Sequence, residues 1–155
     1  MTRLFLLVFC CLVATNVAYA GEIDAEHERA IDARTSDMQL RKFYLGPLFA
    51  MAKGDIPYNA ELAAGFARSL QLLSELNMHG FWPEGSHSGA YPDKTAAKES
   101  AWLTYPEVTE YGKKYRATVD GLVPEAGLGL DQLRAKVGAV GKACKACHDE
   151  YREED

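Results

Sequence analysis

Apolar residues recur at helical spacing along most of the chain that follows the first twenty residues. This spacing predicts four helices, and the alternating pattern typical of strands is absent. The predicted helices run approximately over residues 24–53, 59–80, 106–123 and 131–151. Gly54 is expected to end the first helix, while Asn59 and Asp131 are expected to cap the second and the fourth. The pattern therefore indicates an all-α domain.

The first predicted helix has a stripe of residues that repeats every seventh position. The stripe consists of Ile31, Met38, Leu45 and Ala52. Arg34 and Leu48 lie on the interleaved positions of the same pattern. Pro47 lies inside the helix, where it removes one backbone hydrogen bond. We therefore expect a kink at Pro47 and a weak last turn.

The chain between the second and third helices differs in composition from the helices. Residues 81–104 are rich in Gly, Pro, Ser and charged side chains. The sequence predicts a connection without regular structure here. Connections of more than about 15 residues are uncommon and are more often functional or mobile than incidental.

The N-terminus has the features of a secretory signal peptide. Arg3 gives a basic start, Leu4 to Val13 are almost wholly apolar, and Ala18-Tyr19-Ala20 has the small-x-small pattern of a cleavage site. The apolar run is too short to span a bilayer comfortably. We expect a signal peptide at residues 1–20, export to the periplasm, and a mature domain at residues 21–155.

The charge and hydropathy of the remaining chain limit its partners. The formal net charge of the whole chain is −5, and removing Arg3 with the signal peptide makes that of the mature chain about −6. This charge argues against nucleic-acid binding, because a protein that binds nucleic acid needs a basic face. No later stretch is apolar for long enough to be a membrane helix. The mature chain of about 135 residues therefore predicts one domain without a membrane span after processing.

The residues that carry chemistry lie near the C-terminus. Two of the four cysteines leave with the signal peptide, and the others form Cys144-Lys145-Ala146-Cys147-His148. This is the C-x-x-C-H pattern of c-type haem attachment. Positions three and four apart share a helix face, so both thiols can reach the haem vinyl groups while His148 points at the iron. The motif predicts one covalent haem c, with His148 as the axial iron ligand.

Other cysteine chemistries fit the sequence less well. The histidine that follows the second cysteine argues against a disulfide between the two cysteines. A thioredoxin-like redox pair expects a βαβ setting, which the pattern lacks. A zinc site needs further ligands, whereas His27, His79 and His87 are scattered through polar or loop contexts.

The ligand on the second face of the iron is left open by the motif. A fixed sixth ligand makes an electron carrier, and an open position makes a gas binder or a catalyst. Met38, Met51 and Met78 are the candidate methionine ligands, with the histidines less well placed. For each methionine the alternative is that it fills the core.

Nearly the whole mature chain resembles cytochrome c', a class II c-type cytochrome. The resemblance rests on Cys144-Lys145-Ala146-Cys147-His148-Asp149, Tyr151-Arg152, Val137-Gly138-Ala139-Val140-Gly141, Lys53-Gly54 with Pro57-Tyr58, and Arg34 with Met38. In class I cytochromes c the attachment motif instead lies near the N-terminus. Two departures are Pro47 and the residues Lys98-Glu99-Ser100-Ala101-Trp102, which end a longer connection than the family's usual one.

The resemblance implies an antiparallel four-helix bundle, of which cytochrome c' is a well-known example. It implies a five-coordinate, high-spin haem with His148 on the proximal side and Met38 closing the distal side. It further places Arg34 near the haem propionates and Arg152 beside the proximal imidazole. The alternative is that both arginines are solvated.

The resemblance also implies that Met78 and Phe81 complete the distal wall, unless they belong to the core. An apolar wall aims no donor at bound oxygen and favours nitric oxide and carbon monoxide. The implied role is nitric oxide trapping or electron transfer with a periplasmic partner that the sequence does not identify. The alternative is a low-spin electron carrier of the cytochrome c-556 type, in which Met38 binds the iron.

Two further expectations concern turnover and assembly. No catalytic residue is predicted, because no distal histidine with an adjacent acid is placed to cleave a peroxide. Many family members are homodimers built by the first two helices. Leu40, Phe43 and Phe49 are surplus apolar residues on the first helix, and they permit a homodimer here.

Overall fold

The computed structural model of the protein describes residues 23–154. The expected signal peptide and its cleavage site after Ala20 lie outside the described residues. The helices are α1 (Ala25–Lys53), α2 (Ala60–Ser74), α3 (Ser100–Leu103), α4 (Glu107–Leu122) and α5 (Leu130–Tyr151). Over the described part of the chain the fold is all-α, as predicted, with α3 added as a single short turn. Within residues 23–154, no helix has the length and apolar character needed to cross a membrane.

The four long helices pack as a bundle in the cyclic order α1, α2, α4, α5. Each of them contacts two neighbours, with α1 against α2 and α5, and α4 against the same two helices. Short connections join α1 to α2 and α4 to α5, so the helices in each of these packed pairs run antiparallel.

The core lies along the inner faces of these four helices. Its buried members are Leu48, Met51, Ala63, Ala67, Leu70, Val119, Leu122, Ala126, Leu133, Val137 and Val140. Met51 is only 1% exposed, so of the two interpretations of this methionine the structure supports core filling. Gly141 of α5 is a point of close approach, because a Cβ atom there would lie 2.6 Å from the Phe49 ring.

Two of the predicted helix boundaries are confirmed. Gly54 ends α1 with φ 87°, a left-handed conformation that glycine adopts without strain. The side chain of Asn59 accepts a hydrogen bond from the Leu62 amide at 2.9 Å and caps α2. Before Gly54, α1 stays helical through Pro47, and Leu48 and Met51 beyond it are anchored in the core.

Two other predicted boundaries were wrong. Helix α2 ends at Ser74 rather than near residue 80, and polar side chains at this end and just after it bond to the backbone themselves. The Ser74 hydroxyl donates to the Gln71 carbonyl, and the Asn77 side chain accepts from the His79 amide. Helix α5 begins at Leu130 after the extended Gly129, which places Asp131 in the first turn instead of at the cap.

The connection between α2 and α4 is more ordered than the sequence predicts. Besides α3, it contains an antiparallel bridge between Ala97 and Arg152. The Lys98 amide donates to the Tyr151 carbonyl at 2.9 Å, and the Glu153 amide donates to the Ala96 carbonyl at 2.8 Å. The connection is thus tied to the C-terminal end of α5, where the predicted haem motif lies.

Candidate haem site

The attachment motif occupies the last turns of α5. Cys144 and Cys147 are free thiols and half-buried, and His148 is exposed. The apolar stripe of α5 continues through them, but the side chains beside them at this end include Tyr111 and Tyr115 of α4.

The surroundings of the motif set the protonation of its side chains. Burial raises the pKa of Cys144, with Arg41 opposing it, and burial and the neighbouring Cys144 raise the pKa of Cys147. The pKa of His148 is lowered, first by partial desolvation and then by the positive charge of Arg152. At neutral pH the site therefore offers two thiols and a neutral imidazole, the form that binds iron. This donor set fits a covalent haem.

Met38 lies on a face of α1 that it shares with two arginines. Arg34, Met38 and Arg41 are four and three positions apart, so their side chains project from neighbouring turns. Arg34 donates a hydrogen bond to the Phe81 carbonyl at 2.9 Å, and the charge of Arg41 acts on Cys144. Met38, which is 43% exposed, therefore lies between the segment that contains Phe81 and the haem motif.

Arg34 is buried and is not a solvated surface arginine. Its side chain donates to the Phe81 carbonyl, to the Ser86 hydroxyl at 2.9 Å and to the Ser86 carbonyl. Its guanidinium carbon lies 4.9 Å from the ring of Trp82 and 5.6 Å from the ring of Trp102. Burial lowers the pKa of Arg34 to about 10, so the group remains cationic at neutral pH.

The other predicted pocket residues lie in the turn after α2 and at the end of α5. Met78 and Phe81 are half-buried and joined by a hydrogen bond from the Phe81 amide to the Met78 carbonyl at 3.1 Å. Neither belongs to the central core. The Arg152 amide donates to the His148 carbonyl at 3.0 Å, and the Arg152 charge acts on the imidazole as described above.

A polar cluster beside Cys144 was missed by the sequence reasoning. Arg41 donates from Nε to Asp37 Oδ2 at 2.9 Å and from Nη2 to the Leu73 carbonyl at 2.8 Å. Its guanidinium carbon lies 4.8 Å from the ring centre of Tyr115. The sequence feature that could have revealed this cluster is the pair of opposite charges on Asp37 and Arg41, four positions apart on one helix. Such pairs are usually solvated, and only the packing shows that this one is not.

The scattered histidines form other contacts. His27 and Tyr91 share a hydrogen bond of 2.9 Å, and His87 lies 3.6 Å from Glu99 and packs against Trp102. His79 is exposed in the turn after α2. Within residues 23–154, the structure brings together no group of three His, Cys, Asp or Glu side chains that could hold a metal ion.

Comparison with known sequences places the chain in a family. A bundle of four long helices whose last helix ends in C-x-x-C-H defines a class II c-type cytochrome, and the sequence model described as Cytochrome C' matches residues 29–152. A cytochrome c' from Cereibacter sphaeroides is 35% identical over 146 residues, covering 94% of this chain and 96% of the relative. A cytochrome c' from Halomonas halodenitrificans is 38% identical over 133 residues, covering 84% of this chain and all of the relative. The chain belongs to the cytochrome c' family.

Solved structures agree with this assignment. A cytochrome c' from Rhodobacter sphaeroides has a TM-score of 0.80 and 34% identity, covering 83% of this chain and 98% of that chain. The nitric oxide complex of a leucine-to-alanine mutant of cytochrome c prime from Alcaligenes xylosoxidans has a TM-score of 0.73 and 30% identity, covering 86% of this chain and 100% of that chain. The resemblance and the four-helix bundle predicted from the sequence are confirmed. Proteins of this family carry one covalent c-type haem per chain, so haem c is the cofactor.

Proposed function

We propose that this chain is a periplasmic cytochrome c' that binds nitric oxide and carbon monoxide at its haem and exchanges electrons through it. Cys144 and Cys147 attach the haem, and His148 binds the iron on the proximal side. The observation that carries the proposal is the position of Met38. This apolar, 43% exposed side chain lies on the face of α1 between the Phe81 segment and the haem motif.

When bound, the haem would supply a redox-active iron that can take a small ligand. Around it, the chain's own residues decide what can bind. Met38 offers no hydrogen-bond donor, so it gives no help to a polar oxygen ligand and has to move aside for any ligand. Met78 and Phe81 complete the same wall, with Phe81 held by Arg34. A wall of this kind suits small neutral gases.

The remaining residues of the predicted pocket orient the haem. Desolvation lowers the pKa of the proximal imidazole, and the positive charge of Arg152 lowers it further and so helps to keep the ring neutral. Arg34 lies one turn before Met38 and provides a positive charge for the haem propionates while its hydrogen bonds hold the connection. The nitric oxide complex of the Alcaligenes relative supports the same ligand for this chain.

The cellular setting and the assembly are part of the proposal. The leader at residues 1–20 would export the chain to the periplasm, where a redox partner meets the haem protein. A homodimer would cover four of the exposed apolar side chains of α1 and α2, namely Leu40, Phe43, Leu62 and Leu72. Phe49 does not belong to this surface, because its ring packs against the core and approaches Gly141.

The first experiment is to record optical and electron paramagnetic resonance spectra of the purified haem protein. The ferric and ferrous forms are measured before and after nitric oxide is added. A high-spin spectrum that changes with the gas is expected. A low-spin ferric spectrum with a methionine-to-iron absorption band would instead identify Met38 as a ligand and the protein as an electron carrier of the cytochrome c-556 type.

Enzymatic turnover is not expected of this site. His87 has an acidic neighbour in Glu99, but it lies in the connection and packs against Trp102. Peroxidase activity no greater than that of free haem is the expected result of a steady-state assay.

A further inference from the structure

The backbone changes conformation immediately after the haem motif. Helix α5 ends at Tyr151, and Arg152 follows in an extended conformation with φ −119° and ψ 136°. The Arg152 amide still donates to the His148 carbonyl at 3.0 Å. Arg152 is therefore the residue at which the helix that carries the proposed iron ligand becomes an extended segment.

The long connection holds this extended segment through backbone hydrogen bonds. Ala97 forms an antiparallel bridge with Arg152. On one side of the bridge, the Lys98 amide donates to the carbonyl of the last residue of α5 at 2.9 Å. On the other side, the Glu153 amide donates to the Ala96 carbonyl at 2.8 Å. The backbone of Arg152 is thus fixed by residues that lie far earlier in the chain.

A buried serine of the connection adds a side-chain attachment. The Ser88 hydroxyl donates to Glu153 Oε1 at 2.7 Å, and the Ser88 amide donates to the Ala97 carbonyl at 2.8 Å. Hydrogen bonds to a charged acceptor are stronger than those between neutral groups. Ser88 therefore joins the residue that pairs with Arg152 to the residue that follows Arg152.

Two cavities meet at the extended segment. One, of about 350 Å³, is lined by residues that include His148, Arg152 and Glu153. The other, of about 390 Å³, is lined by residues that include Ser88, Thr95 and Glu153. Because Glu153 lines both cavities, the extended segment lies between the proposed iron ligand and the connection. Arg152 and His148 share the first cavity.

We propose that Ser88 and Glu153 are positioning residues, which hold Arg152 beside His148 and thereby raise the reduction potential of the haem. The proposal rests on the proposed function, because it assumes that His148 binds the iron. A positive charge near the iron disfavours the ferric state, which carries one more positive charge than the ferrous state. Groups that surround the ligand of a metal centre tune its potential in this way, provided that they are held in place.

The test measures the reduction potential of the haem protein in three variants. Arg152→Leu removes the charge and should lower the potential. Ser88→Ala removes the hydrogen bond to Glu153 without changing any charge, and it should lower the potential by part of that shift. In Ser88→Ala/Arg152→Leu the potential should equal that of Arg152→Leu alone, because a positioning residue has no effect once the group that it positions is absent.

Two substitutions of Glu153 separate position from charge. Glu153→Ala and Glu153→Gln remove the same negative charge, but the glutamine keeps an oxygen that accepts a hydrogen bond from Ser88. The proposal therefore predicts a lower potential in Glu153→Ala than in Glu153→Gln. Equal potentials in the two variants would show that Glu153 acts through its charge alone and would overturn the proposal. This comparison leaves the buried Ser88 unaltered.

The matched control is Ser69→Ala, which removes a serine hydroxyl that donates to the Gly65 carbonyl within α2. It should leave the potential unchanged. Resonance Raman spectra of the ferrous protein give a second readout, the frequency of the stretching vibration between iron and the histidine. This frequency should shift in Arg152→Leu and shift less, in the same direction, in Ser88→Ala.

The outcomes separate the two proposals. A wild-type haem protein whose spectrum is unchanged by nitric oxide overturns the proposed function. A protein that binds nitric oxide, but in which Ser88→Ala has the wild-type potential and the wild-type stretching frequency, overturns the positioning role alone. An equal shift in Ser69→Ala also overturns it, because the effect would then not depend on the contact with Glu153. Thermal unfolding of each variant confirms that it is folded.

Discussion

Arg34 Nη1 donates a hydrogen bond to the Ser86 hydroxyl at 2.9 Å and so joins α1 to the long connection across 52 residues of sequence. The same guanidinium lies over the rings of Trp82 and Trp102. The connection then continues to Ala97, which pairs with Arg152 four residues after His148. One buried arginine therefore links the Met38 side of the predicted haem site to its His148 side.

Removing Arg34 should destabilise the protein substantially. In Arg34→Leu the carbonyls of Phe81 and Ser86 lose a buried donor, and we expect a loss of about 3 kcal/mol in the free energy of unfolding. Urea unfolding measures this loss. The control is Arg29→Leu, which replaces an exposed arginine of the same helix and should change stability by less than about 0.5 kcal/mol. Equal stabilities for the two variants would contradict the role assigned to Arg34.

Shortening Met38 should open the haem to ligands. Carbon monoxide should bind Met38→Ala about tenfold faster, which corresponds to a barrier lowered by about 1.4 kcal/mol. Stopped-flow mixing measures the rate, and the optical spectrum should show the same spin state as the wild type. A change of spin state in Met38→Ala would show instead that the methionine binds the iron.

The apolar surface of α1 provides a test of the homodimer. Phe43 is 65% exposed, so Phe43→Lys should leave the monomer folded while placing a charge in the proposed interface. We expect sedimentation to show a dimer for the wild type and a monomer for Phe43→Lys. Leu128→Lys changes an equally exposed residue outside α1 and α2 and should remain dimeric. A monomeric wild type would refute the proposed assembly.

Tyr115 should make the folded state sensitive to alkaline pH. Burial raises the pKa of Tyr115 above its ordinary value, so above about pH 10 the unfolded chain loses this proton first. Stability therefore falls as the pH rises from there towards the folded-state pKa. Between pH 8 and pH 11 the free energy of unfolding of the wild type should fall by up to about 1 kcal/mol more than that of Tyr115→Phe. Denaturant unfolding at the two pH values measures this difference, and Tyr105→Phe, at a 73% exposed position, should behave like the wild type.

Features with local causes could be predicted from the sequence. Asn59 caps α2 through a bond to Leu62, and Gly54 ends α1 through its own backbone conformation. The spacing of Cys144, Cys147 and His148 likewise depends only on the geometry of one helix. The errors at the end of α2 and the start of α5 were also local. At the end of α2 the Ser74 hydroxyl donates to the Gln71 carbonyl, and α5 begins after the extended Gly129 without a side-chain cap.

The sequence by itself thus determined the haem motif, the four long helices and the family, because each depends on residues a few positions apart. Burial was decided only by the tertiary structure. Met38 and Met51 are the same residue type on the same helix, yet Met51 is 1% exposed and Met38 is 43% exposed. Arg34 and Arg41 are likewise alike in sequence, and their partners Ser86 and Tyr115 lie far along the chain. Spacing shows which face of a helix a residue is on, whereas the helices packed against that face decide what the residue contacts.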